Sequence, residues 1–380
     1  MKRFVALLAA ALTLAGCSSW NPLVALGIKA EPANKPTPLE PFSATVNPRA
    51  AWTVPVGKSG AYVLRPVIDA GRVVAASAEG SITAVEEDGR VFARAETKKP
   101  LSGGLEAGEG KFVAGTIKGE VISFDVTGKI LWTSTVAGEV ISPPAVSRKT
   151  VVVRTADGRV FGLNVDDGKR KWVFQRATPS LLLRSEAGVL AIGGDVVAGY
   201  PNGKLIALDL EDGKLTWEAT VTLPRGSTEL ERIADVAGLP VIDGGNVCAG
   251  AFQGKVACFE ISSRNMVWSR DVSTARDLAR DSKNIYVTDD TSAVQALDKN
   301  AGASVWKQDK LRYRRLTAPV VYEGYVLVGD GFGFLHVLSP ADGIIIGRLA
   351  TDGTAINSIV PAKSGLILQT AGGSLISVRL

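Results

Sequence analysis

Downstream of Trp52 the chain is a succession of short apolar runs, each closed by a turn of Asp, Glu and Gly and followed by a run that often ends on tryptophan. One unit reads Gly203-Lys-Leu-Ile-Ala-Leu-Asp209, then Glu211-Asp212-Gly213-Lys214, then Trp217; another reads Gly158-Arg-Val-Phe-Gly-Leu-Asn164, then Asp167-Gly168-Lys169, then Trp172. In Leu205-Ile-Ala-Leu208 both alternating sets are apolar, which predicts a strand buried on both faces. The Asp-Gly turn then reverses the chain, because glycine accepts positive φ and the preceding carboxylate bonds turn amides. Related units begin at Gly80, Gly119, Gly254, Ser292, Gly333 and Gly373, giving eight at a mean spacing of about 42 residues.

Each unit is preceded by a further apolar run, as in Thr150-Val-Val-Val-Arg154 and Tyr325-Val-Leu-Val-Gly329. Before that lies a segment marked by proline, as in Ser142-Pro-Pro-Ala-Val146, Leu239-Pro-Val241 and Ala318-Pro-Val-Val321. Four strands per repeat follow, a pattern that belongs to blades set around an axis. Trp132, Trp172, Trp217, Trp268 and Trp306 fall 13 or 14 residues after their opening Gly or Ser, so a ring packed between adjacent blades is expected at each. The last unit, Gly373 to Leu380, stops before a tryptophan strand, whereas Ala50-Ala-Trp52-Thr-Val54 is such a strand without a unit. Pairing the two predicts an all-β, eight-bladed β-propeller over residues 49–380, its ring closed by the N-terminal strand and its open edges removed.

Composition narrows the chemistry. The 380 residues carry 41 glycines and a formal charge of +5, to which Lys2 and Arg3 contribute, so the remaining excess is too weak to point to nucleic acid. There is one histidine, His336, within the alternating run Phe334-Leu-His-Val-Leu338, where a structural role is expected. Cys248 and Cys258 lie symmetrically about Gln253. They bridge if register and side-chain direction agree across the hairpin, and otherwise act as two small buried thiols. No Gly-rich phosphate loop, HExxH or GxSxG pattern occurs after the first residues. Acidic turn residues such as Asp166, Asp167, Glu211 and Asp212 are explained by turn geometry rather than by a metal. The run Arg312-Tyr313-Arg314-Arg315 reads as a solvated loop, with a phosphate or lipid head-group contact as the alternative.

The N-terminal stretch has Lys2 and Arg3, an apolar run from Phe4 to Leu14 and small residues before Cys17. Leu14-Ala15-Gly16-Cys17 resembles the lipobox of bacterial lipoproteins, and the apolar run is shorter than the roughly 20 residues that span a bilayer. The resemblance implies a signal over residues 1–16, lipidation of Cys17 on its thiol and amino group, and export. Ser18, rather than Asp, resembles the pattern sorted to the outer membrane. Residues 17–48 are rich in proline, with Pro22, Pro32, Pro36, Pro38, Pro41 and Pro48, and read as an extended tether.

The repeats are similar to quinoprotein-type (PQQ-like) propeller units, with their Gly-x-Leu-x-Ala-Leu-Asp and Asp-Gly-Lys-x-x-Trp signature, which fixes fold better than function. Two irregular segments narrow the match: Thr178-Pro-Ser-Leu-Leu-Leu-Arg184, and Gly226-Ser-Thr-Glu-Leu-Glu-Arg-Ile-Ala-Asp235. They fall where the repeat spacing stretches, from Gly158 to Gly203 and from Gly203 to Gly254. With the lipobox-like start, the whole chain resembles the BamB family, lipoproteins of the outer-membrane β-barrel assembly (BAM) machinery. The resemblance implies a non-catalytic scaffold without a cofactor, held by lipid on the periplasmic face of the outer membrane. Its implied partners are a POTRA domain of BamA, through it the other BAM subunits, and nascent outer-membrane proteins. By position, Leu181, Leu183 and Arg184 match the first family loop and Asp235 the second, while Ala237 stands where the family can carry an acidic residue. On this reading the leucines are apolar anchors, and Arg184 with Asp235 adds polar pairing at the rim. The competing reading makes Leu181 to Leu183 another buried strand. Two other function classes use such repeats, a quinone-dependent dehydrogenase and a ligand-binding sensor propeller. The former often carries adjacent cysteines, unlike Cys248 and Cys258, and the latter needs exposed aromatics converging on one face.

Overall fold

The apolar runs of the repeats are strands, and these group into eight four-stranded antiparallel sheets. The computed structural model describes residues 34–186 and 188–380; Cys17 and the signal-like segment lie outside the described residues. Blade 1 covers residues 67–96, blade 2 103–135, blade 3 145–174, blade 4 190–220, blade 5 241–270, blade 6 279–308 and blade 7 320–350. In each of these the chain runs in order from inner to outer strand. Inner strands of neighbouring blades touch, as where Gly103–Gly108 meets Val67–Asp69 on one side and Ala145–Ser147 on the other.

The core lies between blades, as the two-faced apolar pattern requires. Leu205 and Ala207 pack with Ala249, Ala257 and Phe259 of blade 5, while Ile206 and Leu208 pack with Val152 and Val160 of blade 3. Burying a side chain of this size contributes about 1.5–3 kcal/mol, an upper bound because the unfolded chain already hides some of that surface.

One local device recurs around the ring. In blade 4, Asp209 Oδ1 accepts the amides of Glu211 and Asp212, Asp212 Oδ1 accepts that of Lys214, and Gly213 takes φ +71°. The indole of Trp172, from blade 3, lies on that glycine and its Nε1 donates to Leu210 O at 3.0 Å. A Cβ on Gly213 would stand 2.5 Å from the ring. Trp132, Trp268 and Trp306 repeat the arrangement on Gly168, Gly302 and Gly343. The residue facing each tryptophan across the sheet is small: Ser123, Gly162, Ala207, Cys258 and Ala296.

Closure follows the expected pairing. Arg49–Pro55 adds antiparallel to Ser374–Arg379 as the outer strand of blade 8, with Trp52 opposite Ser377. Trp52 Nε1 donates to Glu87 O at 2.9 Å, which ties blade 8 to blade 1.

Residues 36–48 differ from a free tether: they are extended but docked. Thr37 N donates to Arg312 O at 3.0 Å, Leu39 and Phe42 pack on the core of blades 6 and 7, and Val46 N donates to Ile346 O at 3.0 Å. A Cβ on Gly347 would stand 2.8 Å from Val46 O, so the missing side chain admits this strap. The apolar Leu39, Phe42 and Val46 give the proline-rich segment something to bury, which its composition conceals.

Candidate functional site

The two stretched repeats become neighbouring loops on one face of the ring. The first, residues 175–189, joins the outer strand of blade 3 to the inner strand of blade 4; the second, residues 221–240, joins blade 4 to blade 5. No strand forms at Leu181 to Leu183: the segment pairs with no strand edge, and its backbone is held at Leu183 by the Asp235 carboxylate. Leu181 is 39% exposed, Leu183 half-buried and Arg184 exposed.

Asp235 does not stand at the rim. It is only 5% exposed, and its carboxylate accepts the Leu183 amide at 2.7 Å and the Asn202 amide at 3.2 Å. Burial pushes this carboxyl above the usual range, opposed by those two amides and by buried Arg154. Ser185 Oγ donates to Ala237 O at 2.6 Å, adding a second tie between the loops, one that uses backbone at 237 and so is indifferent to its side chain. Arg184 pairs with Glu139 at 3.0 Å rather than with Asp235. The four residues thus gather in one place, with Asp235 holding the first loop from beneath.

The second loop supports itself. Thr228 and Glu231 form a reciprocal box: Glu231 N donates to Thr228 Oγ1 at 3.2 Å, and Glu231 Oε2 accepts the amides of Ser227 and Thr228. This presents Leu230 to solvent at 67% exposure, with Leu223 nearby in sequence at 64%. A cleft of about 350 Å³ between the loops is lined by Pro179, Leu181, Pro224, Arg232, Ile233 and Asp235. Leu223 and Leu230 were not singled out from sequence; their signal was leucine in a segment without strand periodicity.

Leu183 and Arg184 also border a cavity of about 720 Å³ on the loop-bearing face, with Arg65, Glu186, Arg276 and Arg315 at other points of its wall. Burial raises the Glu186 carboxyl, with Arg276 and Arg184 opposing.

Of the other residues considered from sequence, Cys248, Cys258, His336 and Arg314 are buried. Cys248 and Cys258 face each other across blade 5 and are joined by a disulfide, both sulfurs within the core between blades 5 and 6. His336 is fully buried: Arg348 Nε donates to its Nδ1 at 3.3 Å, so the ring carries its proton on Nε2, 3.1 Å from Asp330 Oδ2. Arg314 departs from the solvated-loop reading. It is buried and donates to Asp330 at 2.7 Å and to Thr37 O at 3.1 Å, because Asp330 would otherwise be an unpaired buried charge.

A ring of eight four-stranded blades, five of its joints closed by a tryptophan on a turn glycine, with two linked loops and exposed leucines on one face, defines a quinoprotein-type propeller. The family model described as "Outer membrane protein assembly factor BamB" matches residues 78–308 and 294–379. The outer membrane protein assembly factor BamB of Nitrosomonas eutropha is 43% identical over 340 residues, covering 89% of this chain and 83% of that one. The crystal structure of BamB from Moraxella catarrhalis superposes with a TM-score of 0.82 at 25% identity, covering 88% of this chain and 100% of that chain. A quinohemoprotein alcohol dehydrogenase from Comamonas testosteroni superposes with a TM-score of 0.70 at 12% identity, covering 88% and 78%, a likeness of fold alone. The chain belongs to the BamB family of outer-membrane protein assembly factors.

Proposed function

We propose that this chain is a non-catalytic scaffold lipoprotein, anchored through Cys17 on the periplasmic face of the outer membrane, that binds a POTRA domain of BamA and assists insertion of β-barrel proteins. The observation that carries the reading is the linked pair of loops, in which Leu181, Leu223 and Leu230 stand exposed around a framework fixed by Asp235 and Ser185. Leucines held out on a preorganised backbone lose little entropy on docking, which is how a small patch gains affinity. Leu183 and Arg184 are the contact residues beside them, and Asp235 contributes by position. Contact with nascent barrels has its own physical route, strand addition along an outer blade edge.

Affinity capture of the chain from detergent-solubilised outer membrane tests the assignment. BamA should co-purify with the wild type and be depleted when Leu183 and Arg184 are both replaced by alanine. Recovery of a quinone-dependent dehydrogenase activity without BamA would overturn it.

A further inference from the structure

The docked strap fixes where the chain leaves the propeller. Its upstream end is pinned at the loop between blades 6 and 7, by Thr37 N on Arg312 O and by Arg314 Nη1 on Thr37 O. From there it descends along blade 7 to Ile346, so the exit lies at the rim of the face that bears the two docking loops. That face assignment rests on connectivity: the loop at residues 309–319 joins an outer strand to the next inner strand, as both docking loops do. Arg315 also borders the cavity that Leu183 and Arg184 border.

At this exit the chain carries Lys310, Arg312, Arg314 and Arg315 against Asp309. Two of the cations are consumed internally, Lys310 by Glu40 and Arg314 by Asp330. Arg312 and Arg315 are exposed, and neither has a carboxylate partner among the described residues; Arg312 lies over the Tyr313 ring at 5.6 Å, and Arg315 lies over Phe332 at 5.4 Å with its Nη2 3.3 Å from Gly331 O. Tyr313 and Arg315 hold φ of +57° and +55°, a conformation these residues resist. It is fixed by Tyr313 N on Thr291 O, Arg314 N on Leu311 O and Gly331 N on Arg314 O. The buried Arg314 therefore sits between two exposed arginines on a turn held by three backbone bonds.

We propose that this rim, Arg312 and Arg315 with Tyr313 between them, is a contact surface for the anionic phospholipid head groups of the leaflet that carries the anchor. The inference rests on the reading of Cys17 as lipidated. A chain from Cys17 to Pro36 spans at most about 65 Å when fully extended, so the anchor keeps the exit point close to the bilayer at high effective concentration. Guanidinium groups match phosphate by charge and by bidentate geometry, and a half-buried tyrosine suits the interface. In consequence the docking loops face the membrane side of the periplasm.

The test uses the full mature chain with Cys17→Ser, which removes the acyl contribution, in flotation with phosphatidylcholine vesicles with and without phosphatidylglycerol. Binding should require phosphatidylglycerol, weaken with salt, and fall about tenfold or more in Arg312→Gln/Arg315→Gln. The charge-matched Arg148→Gln/Arg264→Gln, on exposed turns at the opposite face of the ring, should bind nearly as wild type. Equal binding to neutral vesicles, equal loss in both double variants, or displacement by millimolar inorganic phosphate without vesicle binding would each overturn the proposal. Mass analysis of the Cys17 peptide from the native protein reports the anchor separately, so failure of lipidation and failure of the head-group surface are distinct results.

Discussion

Arg264 occupies the turn position held by Gly213, Gly302 and Gly343 in neighbouring blades, as shown by the shared bond from its amide to the carbonyl four residues back. It keeps the left-handed conformation that glycine takes there, at φ +64°. The indole that should lie on this turn, Trp217, is the one buried tryptophan Nε1 without a partner among the described residues. Removing the side chain relieves backbone strain and reopens the cradle, at the loss of an exposed 3.3 Å bond to Thr216 O. Arg264→Gly is therefore expected to raise stability by about 1 kcal/mol, read as a higher denaturant midpoint at unchanged slope. A lower midpoint would mean that the guanidinium packs better than the glycine frees. His336 makes a second prediction at this scale. Burial holds its pKa below 6.5, so the unfolded chain binds the proton first. The stability it contributes is complete above pH 6.5 and is lost as pH falls from there toward the depressed folded value. Because it is the sole histidine, the drop in unfolding free energy between pH 7.5 and 5.5, up to about 1.4 kcal/mol per unit of pH, should largely vanish in His336→Gln. An equal drop in both proteins would assign the pH dependence to carboxylates.

At the scale of elements, Asp235 separates the two ways a loop residue can serve binding. Its carboxylate closes the first loop onto blade 4 through two amides, facing buried Arg154. Asp235→Ala should cost about 2–3 kcal/mol of stability as well as partner affinity, while Leu181→Ala should cost little stability. Thermal unfolding that is unmoved by Asp235→Ala, with binding abolished, would make the aspartate a direct contact. The strands were legible in the sequence because their period-two apolar sets and Asp-Gly turns are local: Thr150–Arg154 and Tyr325–Gly329 coincide with the runs read from them. The loops were legible as interruptions of that period, and the position of Leu181 through Asp235 came with them. What the sequence hid was long-range. Whether Asp235 points in or out depends on amides 52 and 33 residues away, at Leu183 and Asn202. Arg314 looked solvated beside Arg312 and Arg315, yet its burial is dictated by Asp330 and by a strap almost three hundred residues upstream. The cysteine pair was undecided because a one-residue slip reverses facing; the observed register places Cys248 opposite Cys258, at the small position that faces Trp268.

For the whole molecule, closure makes the ring one cooperative body in which no blade has a free inner face. Trp52 and its strand complete blade 8, and the strap then seats residues 36–48 on blade 7. Such a body changes shape little on binding, so the loops present a fixed surface, and the account stands or falls on whether that surface is where BamA docks. Titration calorimetry of the full chain against the periplasmic region of BamA decides it, comparing wild type with Leu181→Ala/Leu183→Ala/Arg184→Ala. The expected result is an affinity at least about a hundredfold weaker, with the thermal transition within a degree or so of wild type. An undiminished Kd in the triple variant would contradict the account.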